Sequence, residues 1–329
     1  MIDRLSTFSD PEIIRLINEN FIPVAENDWF QRRRQDAVGE FFRSVANQGP
    51  RKGAGGSTRQ GHYALTAGGR LLAFNNNRGA EKHAAMLRRA LEEWQALPAA
   101  QRAPGAVEVE MLDAGQLDKK YAQLMPEATV VLKTSTRLLK QEGGELVACG
   151  ADDHPNGWGH LAAHNQMWLQ ASEIAQLREL DGEEPVDLPS PIAYRLMRFH
   201  LVDNTRGEPD FWSRQDVREY QLSLRTPPGA PLRRVIEGHV LLENGKGRGF
   251  EAKVLGQLDI APDADRLTAV EIVALGDHWG SGTYTAGARP GRTPLGIAFS
   301  LADPENDPGA GVPPQGSGWL DGYLQADRH

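Results

Sequence analysis

The apolar residues of this chain change period near residue 100, and a chain with two periods needs two kinds of element and two places to bury them. Before that point Ala80, Ala84, Leu87, Leu91 and Trp94 recur at intervals of four and three and share one face of a helix. Arg88, Arg89, Glu92 and Glu93 fall mainly on its other faces, as a surface helix requires. The helical pattern stops in Leu97–Gly105, which carries Pro98, Pro104 and Gly105. Beyond it the apolar residues alternate. Tyr220, Leu222 and Leu224, then Phe250, Ala252 and Val254, then Leu295, Ile297, Phe299 and Leu301 each mark one face of a half-buried strand. At 329 residues the chain also exceeds what one hydrophobic core serves.

Within the first hundred residues, Asp10 followed by Pro11 reads as a helix N-cap with proline at the first helical position, and Ile13, Ile14, Ile17 and Phe21 supply the apolar stripe. Phe21–Ala25 reads as a short strand. A helix follows from about Gln35 to Ala46, with Val38, Phe41, Phe42 and Val45 turned inward. Tyr63–Thr66 and Arg70–Phe74 form a hairpin about Ala67, Gly68 and Gly69, and lead into the helix of Ala80 to Trp94.

The order helix, strand, helix, hairpin, helix resembles a thioredoxin-like domain whose first strand and redox-active helix start are missing or reduced. The resemblance covers roughly the first hundred residues. It implies an α/β scaffold, and in that family the chemistry belongs to a Cys-x-x-Cys pair faced by a cis-proline. Here the only cysteine is Cys149, far outside the segment, and the stretch matching the cis-proline site, Thr58–His62, holds no proline. The expectation is a thioredoxin-like scaffold retained for packing or binding, without thiol-disulfide chemistry.

In the second part, strands are expected near Val130–Leu139, Ile192–Val202, Val235–Leu242 and Thr268–Leu275, besides the alternating runs above. Asn244-Gly245 between two such runs marks a tight hairpin, because both residues accept positive φ. About seven or eight strands with turns at this spacing predict an antiparallel sandwich or barrel. One short helix, capped by Ser172 and carrying Ile174, Leu177 and Leu180, interrupts it. The fold class is thus α+β. Residues 1–100 form the thioredoxin-like domain, 101–125 a linker, 126–303 the β-rich domain and 304–329 an irregular proline- and glycine-rich tail.

Charge and composition exclude several functions. A net charge of −8 argues against general binding to nucleic acid or anionic membranes. One cysteine excludes an intrachain disulfide framework and a cysteine-rich zinc site. No apolar run approaches the roughly twenty residues of a membrane span. Met1–Ser6 lacks the apolar core of a signal peptide, so a soluble, cytoplasmic protein is the expectation, unless an export signal was trimmed.

Four constellations carry candidate chemistry. Asp152, Asp153, His154, His160 and His164 fall within thirteen residues; were His160 to His164 helical, both imidazoles would share a face and, with Asp153 and His154, suit a divalent metal. Leu161 stands where the hydrolytic zinc motif has its glutamate, and Gly157 and Gly159 equally permit a polar loop. A second run, Arg198 to Trp212, puts His200, Asp203, Arg206 and Glu208 at a strand end, as a ligand-binding rim or a charged turn. The third holds Asp277, His278, Trp279 and Tyr284 among glycines, where side chains from other strands would have to complete any pair. His200, Asp203, Asp277 and His278, against Trp279 and Tyr284, form the preferred ligand pocket. The fourth, Gly49–Gly61 with Arg51, Lys52 and Arg59, lacks the lysine of a phosphate loop and leads into a hairpin, the wrong context for one. The expected function is a non-redox binding protein for a protein or small molecule, with a metal-dependent enzyme as the alternative.

Overall fold

The computed structural model describes residues 7–8, 10–53, 57–77, 79–103, 113–120, 126, 130–154, 157, 159–160, 162–180, 182–262, 266–285, 287–303, 307, 310 and 312–329. The chain divides into two compact units, one within Asp3–Leu124 and the other within Met125–His329.

In the first unit, helix α1 (Pro11–Asn20) starts where the Asp10 carboxylate accepts from the backbone N–H groups of Glu12 and Ile13. It buries Ile13 and Leu16, whereas Ile14 stays exposed. Phe21–Ala25 is not a strand: Ile22 is 93% and Val24 77% exposed, and Pro23 between them cannot donate to a ladder. After the short α2 (Asp28–Gln31), Asp36 caps α3 (Ala37–Asn47) through Gly39 N–H at 3.0 Å. The same carboxylate pairs with buried Arg34, and that guanidinium holds it well below the usual carboxylate range. In α3 only part of the expected stripe is inward, Val45 being buried while Val38 and Phe41 are exposed. Strands β1 (His62–Leu65) and β2 (Leu71–Asn75) pair antiparallel. Helix α4 (Ala80–Ala96) and α1 close on that hairpin, and Ile13, Leu16, Ala64, Ala73, Ala84, Leu87 and Ala90 form the core. A last turn, α5 (Ala99–Arg102), follows. The basic loop is committed to this scaffold, since Arg59 donates to Arg43 O, Asn47 Oδ1 and Gly53 O.

The second unit is built on one sheet of nine strands rather than on a sandwich or barrel. They are β3 (Val130–Glu142), β4 (Glu145–Ala148), β5 (Ala162–Leu169), β6 (Val186–Asp187), β7 (Val217–Arg225), β8 (Arg233–Glu243), β9 (Gly249–Ile260), β10 (Leu267–Trp279) and β11 (Thr293–Leu301). The order is β4-β3-β11-β10-β9-β8-β7-β6, all pairs antiparallel, and the long β3 carries both β4 and β5 opposite β11. Among the described residues the order does not close on itself. The β8–β9 hairpin turns at the expected place but over Asn244–Arg248 rather than on Asn-Gly alone: Asn244 Oδ1 accepts from the N–H groups of Lys246 and Arg248, and the positive φ, +81°, falls on Gly247.

What covers the inner face is partly helical. Val240, Leu242, Phe250, Ala252, Val254, Ala274, Leu295 and Ile297 pack with Ile174 and Leu177 of α6 (Ala171–Glu179) and Ile192 and Ala193 of α7 (Ser190–Arg195). Ile192–Val202 is therefore not a strand but helical as far as His200: Pro191 lies in the first turn of α7, and a π-turn, Leu196–His200, continues it with Leu201 N–H on Leu196 O. The α6 N-cap is Gln170 instead of Ser172.

The tail is also ordered where described. A 3₁₀ turn (Gln315–Gly318) and α8 (Leu320–Leu324) lead to fully buried Tyr323 and Ala326. Buried arginines hold this segment by its backbone: Arg195 donates to Tyr323 O and Leu324 O and is bidentate to Glu173, and Arg198 donates to Ala326 O.

Candidate functional site

The chain leaves the π-turn as a buried segment, Leu201–Arg206. Asp203 makes a side-chain turn there, accepting from Thr205 N–H at 3.0 Å and Thr205 Oγ1 at 2.6 Å. Its other oxygen accepts from Arg206 Nε at 2.7 Å, and both partners are almost fully buried. Arg206 then reaches the loop after β10, donating to Gly280 O, Thr285 O and Ser281 Oγ. One ion pair thus ties two distant loops.

His278, near the end of β10, lies between Phe250 of β9 and Thr293 of β11 with its ring buried. Asp277 is its immediate neighbour and is exposed, because successive strand side chains face opposite ways. The His278 face opens on a cleft lined by Leu138, His154, Asp203, Arg206, Trp279, Ala288, Arg289 and Thr293. Its free volume of about 10 Å³ is that of one water position. As it stands, the cleft receives a single polar group and excludes a whole organic molecule.

Burial is the main force that drives the His278 imidazole down to a pKa of about 4; the cations of Arg206, Arg248 and Arg289 add to it against the pull of Asp203. Burial acts to raise the Asp203 carboxyl, but positive charge on His278 and Arg206 and the hydrogen bonds from Thr205 and Arg206 outweigh it and hold it below the usual range. With His278 uncharged at neutral pH, Arg206 is the cation that keeps Asp203 ionised. The cleft therefore presents a neutral imidazole beside a compensated ion pair.

Of the expected pocket, Asp203, His278 and Trp279 come together, and His154, expected with the metal cluster, joins them. Three others, His200, exposed Asp277 and Tyr284, do not. His200 is buried elsewhere, with Nε2 2.8 Å from Tyr323 OH. That hydroxyl also accepts Trp168 N–H at 3.2 Å, and among the described residues the buried His200 Nδ1 meets no hydrogen-bond partner. Burial, and then Arg195, lowers His200 to about 3. Tyr284 is 71% exposed and bridges Glu208 through backbone. Trp279 lies under the Arg292 guanidinium and against Gly249, where a Cβ would meet its ring.

The expected metal cluster is dispersed. His160 is exposed and lies outside β5, so no helix places it with His164, whose Nδ1 is 2.8 Å from Ser135 Oγ on β3. The physical reason is the pairing of Ala162–Leu169 with Val130–Arg137, which turns His164 into a cross-strand partner. Asp153 caps its own turn through Gly150 N–H and pairs with Lys140. Among the described residues no three His, Cys, Asp or Glu side chains are arranged to hold a metal ion.

Arg289 and Thr293 carry no sequence signal for this cleft. Arg289 is recruited because its guanidinium donates to Leu139 O and Pro294 O and touches buried Cys149 Sγ at 3.4 Å. Burial raises the Cys149 thiol, although Arg289 opposes it.

No protein-family model matches the chain, and neither a curated protein nor a solved structure matches it at a significant level. Among the described residues no helix is long and apolar enough to cross a membrane.

Proposed function

We propose that the protein is a non-redox binding protein, thioredoxin-like in its first unit, that receives a polar group of its ligand in the Asp203–His278 cleft of its second. The observation that carries this reading is the convergence of His154, Asp203, His278 and Arg289 from four separate stretches of chain on one opening. A neutral imidazole both donates and accepts, so the matching group is a hydroxyl or an amide rather than a cation. The single buried cysteine supports the absence of dithiol chemistry.

The test is a titration with a panel of small hydroxylated and amide-bearing molecules, followed by the imidazole resonances of labelled protein. A ligand of the cleft shifts His278 and His154 and loses affinity in His278→Gln, while the thermal midpoint of that variant stays near the parent's. Binding that leaves those resonances in place would put the site elsewhere. Stoichiometric divalent metal retained through gel filtration would instead favour a metal-dependent enzyme.

A further inference from the structure

A second opening in the β-unit has the opposite character: large, exposed and cationic. Its volume is about 650 Å³, within the range of roughly 300–1,000 Å³ usual for small-molecule sites, and it is lined by Tyr194, Ser213, Arg214, Gln215, Arg328 and His329. Three separate stretches build it. Tyr194 comes from α7 and packs edge-on against Tyr220 at 5.5 Å between ring centres. Arg214 opens the 3₁₀ turn Arg214–Asp216, fixed because Ser213 N–H donates to Asp216 Oδ2 at 2.8 Å, and its guanidinium lies 5.5 Å above the Tyr194 ring. Arg328 follows the segment that Arg195 and Arg198 hold by the carbonyls of Leu324 and Ala326.

Among the described residues the charges here are not paired with carboxylates. Arg195, Arg206, Arg233 and Arg292 each meet a carboxylate, whereas among the described residues Arg214 and Arg328 make no ion pair and no side-chain hydrogen bond. The Asp216 carboxylate of the same turn is engaged by Ser213 N–H. Burial first, and then the neighbouring charge of Arg214, lowers the pKa of Arg198 against Tyr194 and Asp216, so two cations and one carboxylate meet at this corner of a chain whose net charge is −8. Two guanidiniums without an ion pair thus line the opening with Tyr194, whose ring Arg214 overlies, and with Ser213, Gln215 and His329.

We propose that this groove binds a planar organic anion, its phosphate or carboxylate held by Arg214 and Arg328 and its ring laid against Tyr194. Guanidinium pairs such oxygens in bidentate fashion and stacks on aromatic faces, which lysine does not reproduce. The proposal is independent of the Asp203–His278 cleft.

Isothermal titration of the full chain with phenyl phosphate, benzoate, inorganic phosphate and phenol tests it. Phenyl phosphate or benzoate is expected to bind saturably at one site, and the stronger of the two names the anionic group. Inorganic phosphate and phenol should each bind at least about tenfold more weakly, because each supplies half of the recognition. The Arg214→Gln/Arg328→Gln double variant should lose about tenfold or more in affinity at an unchanged thermal midpoint, both side chains being exposed. Arg214→Lys should fall between the two. The proposal is overturned if neither organic anion binds saturably, if the double variant binds like the parent, or if inorganic phosphate binds as tightly as phenyl phosphate.

Discussion

Asp203 and Arg206 form the most consequential pair of residues, because their ion pair is buried and ties the segment after the π-turn to the loop after β10. Removing one partner leaves the other charged and out of water, which costs about 3–5 kcal/mol. Asp203→Ala is therefore expected to lower the free energy of unfolding by that amount in urea titrations; a loss under about 1 kcal/mol would show that water reaches Arg206. His278 and His200 share the response to acid, the folded His278 titrating first. Its folded pKa of about 4 lies below the 6.5 of the free imidazole, so the native state binds fewer protons than the unfolded chain between those values. The stability is complete above about pH 6.5 and is lost as the pH falls towards about 4, by about 3 kcal/mol at roughly 1.4 kcal/mol per unit. His200, lowered to about 3, acts in the same direction over a wider range. Urea unfolding at pH 7 and pH 5 should show the drop, and His278→Gln should remove about half of it.

Among the elements, the C-terminal segment departs most from its composition. Proline- and glycine-rich sequence has few apolar side chains to pack, yet Tyr323 fills the core beside Trp168 and Phe199, and buried arginines take up the carbonyls around it. Tyr323→Phe removes a hydroxyl that serves His200 Nε2 and Trp168 N–H, and should cost about 1–3 kcal/mol. Deleting residues 315–329 should cost more, since it strips acceptors from Arg195 and Arg198 as well. Equal stability of the deletion variant and the parent would mean that water replaces those carbonyls without penalty. Ile192–Val202 shows the limit of periodicity from the other side. Its residues are buried almost throughout, Arg195, Arg198 and His200 included, so no exposed face marks the helical period.

For the whole molecule, each unit has its own core, one on the β1–β2 hairpin and one on the nine-stranded sheet. A fragment of residues 126–329 is expected to keep β-type circular dichroism and to unfold cooperatively; an unfolded fragment would show that the units share their stability. The alternation along β7, β9 and β11 was legible because each strand buries one face, and the β8–β9 turn because Asn244 accepts turn N–H groups and a glycine, Gly247, takes the positive φ. Parity also separates Asp277 from His278 without any coordinates. Whether the strands close was not legible, since alternation says that a face is covered and leaves open whether a second sheet or a helix covers it. The cleft divides in the same way. Asp203 and His278 stood out by type and by their place at element ends, but their meeting with Arg289 and His154, the exclusion of His200 and the separation of His160 from His164 depend on strand register and loop paths. The sequence by itself determined the periods, the turns and the supply of charge, which are local properties of neighbouring residues. The tertiary structure alone decided which charges are buried together and which are left over at Arg214 and Arg328, because burial is set by contacts between residues far apart in the chain.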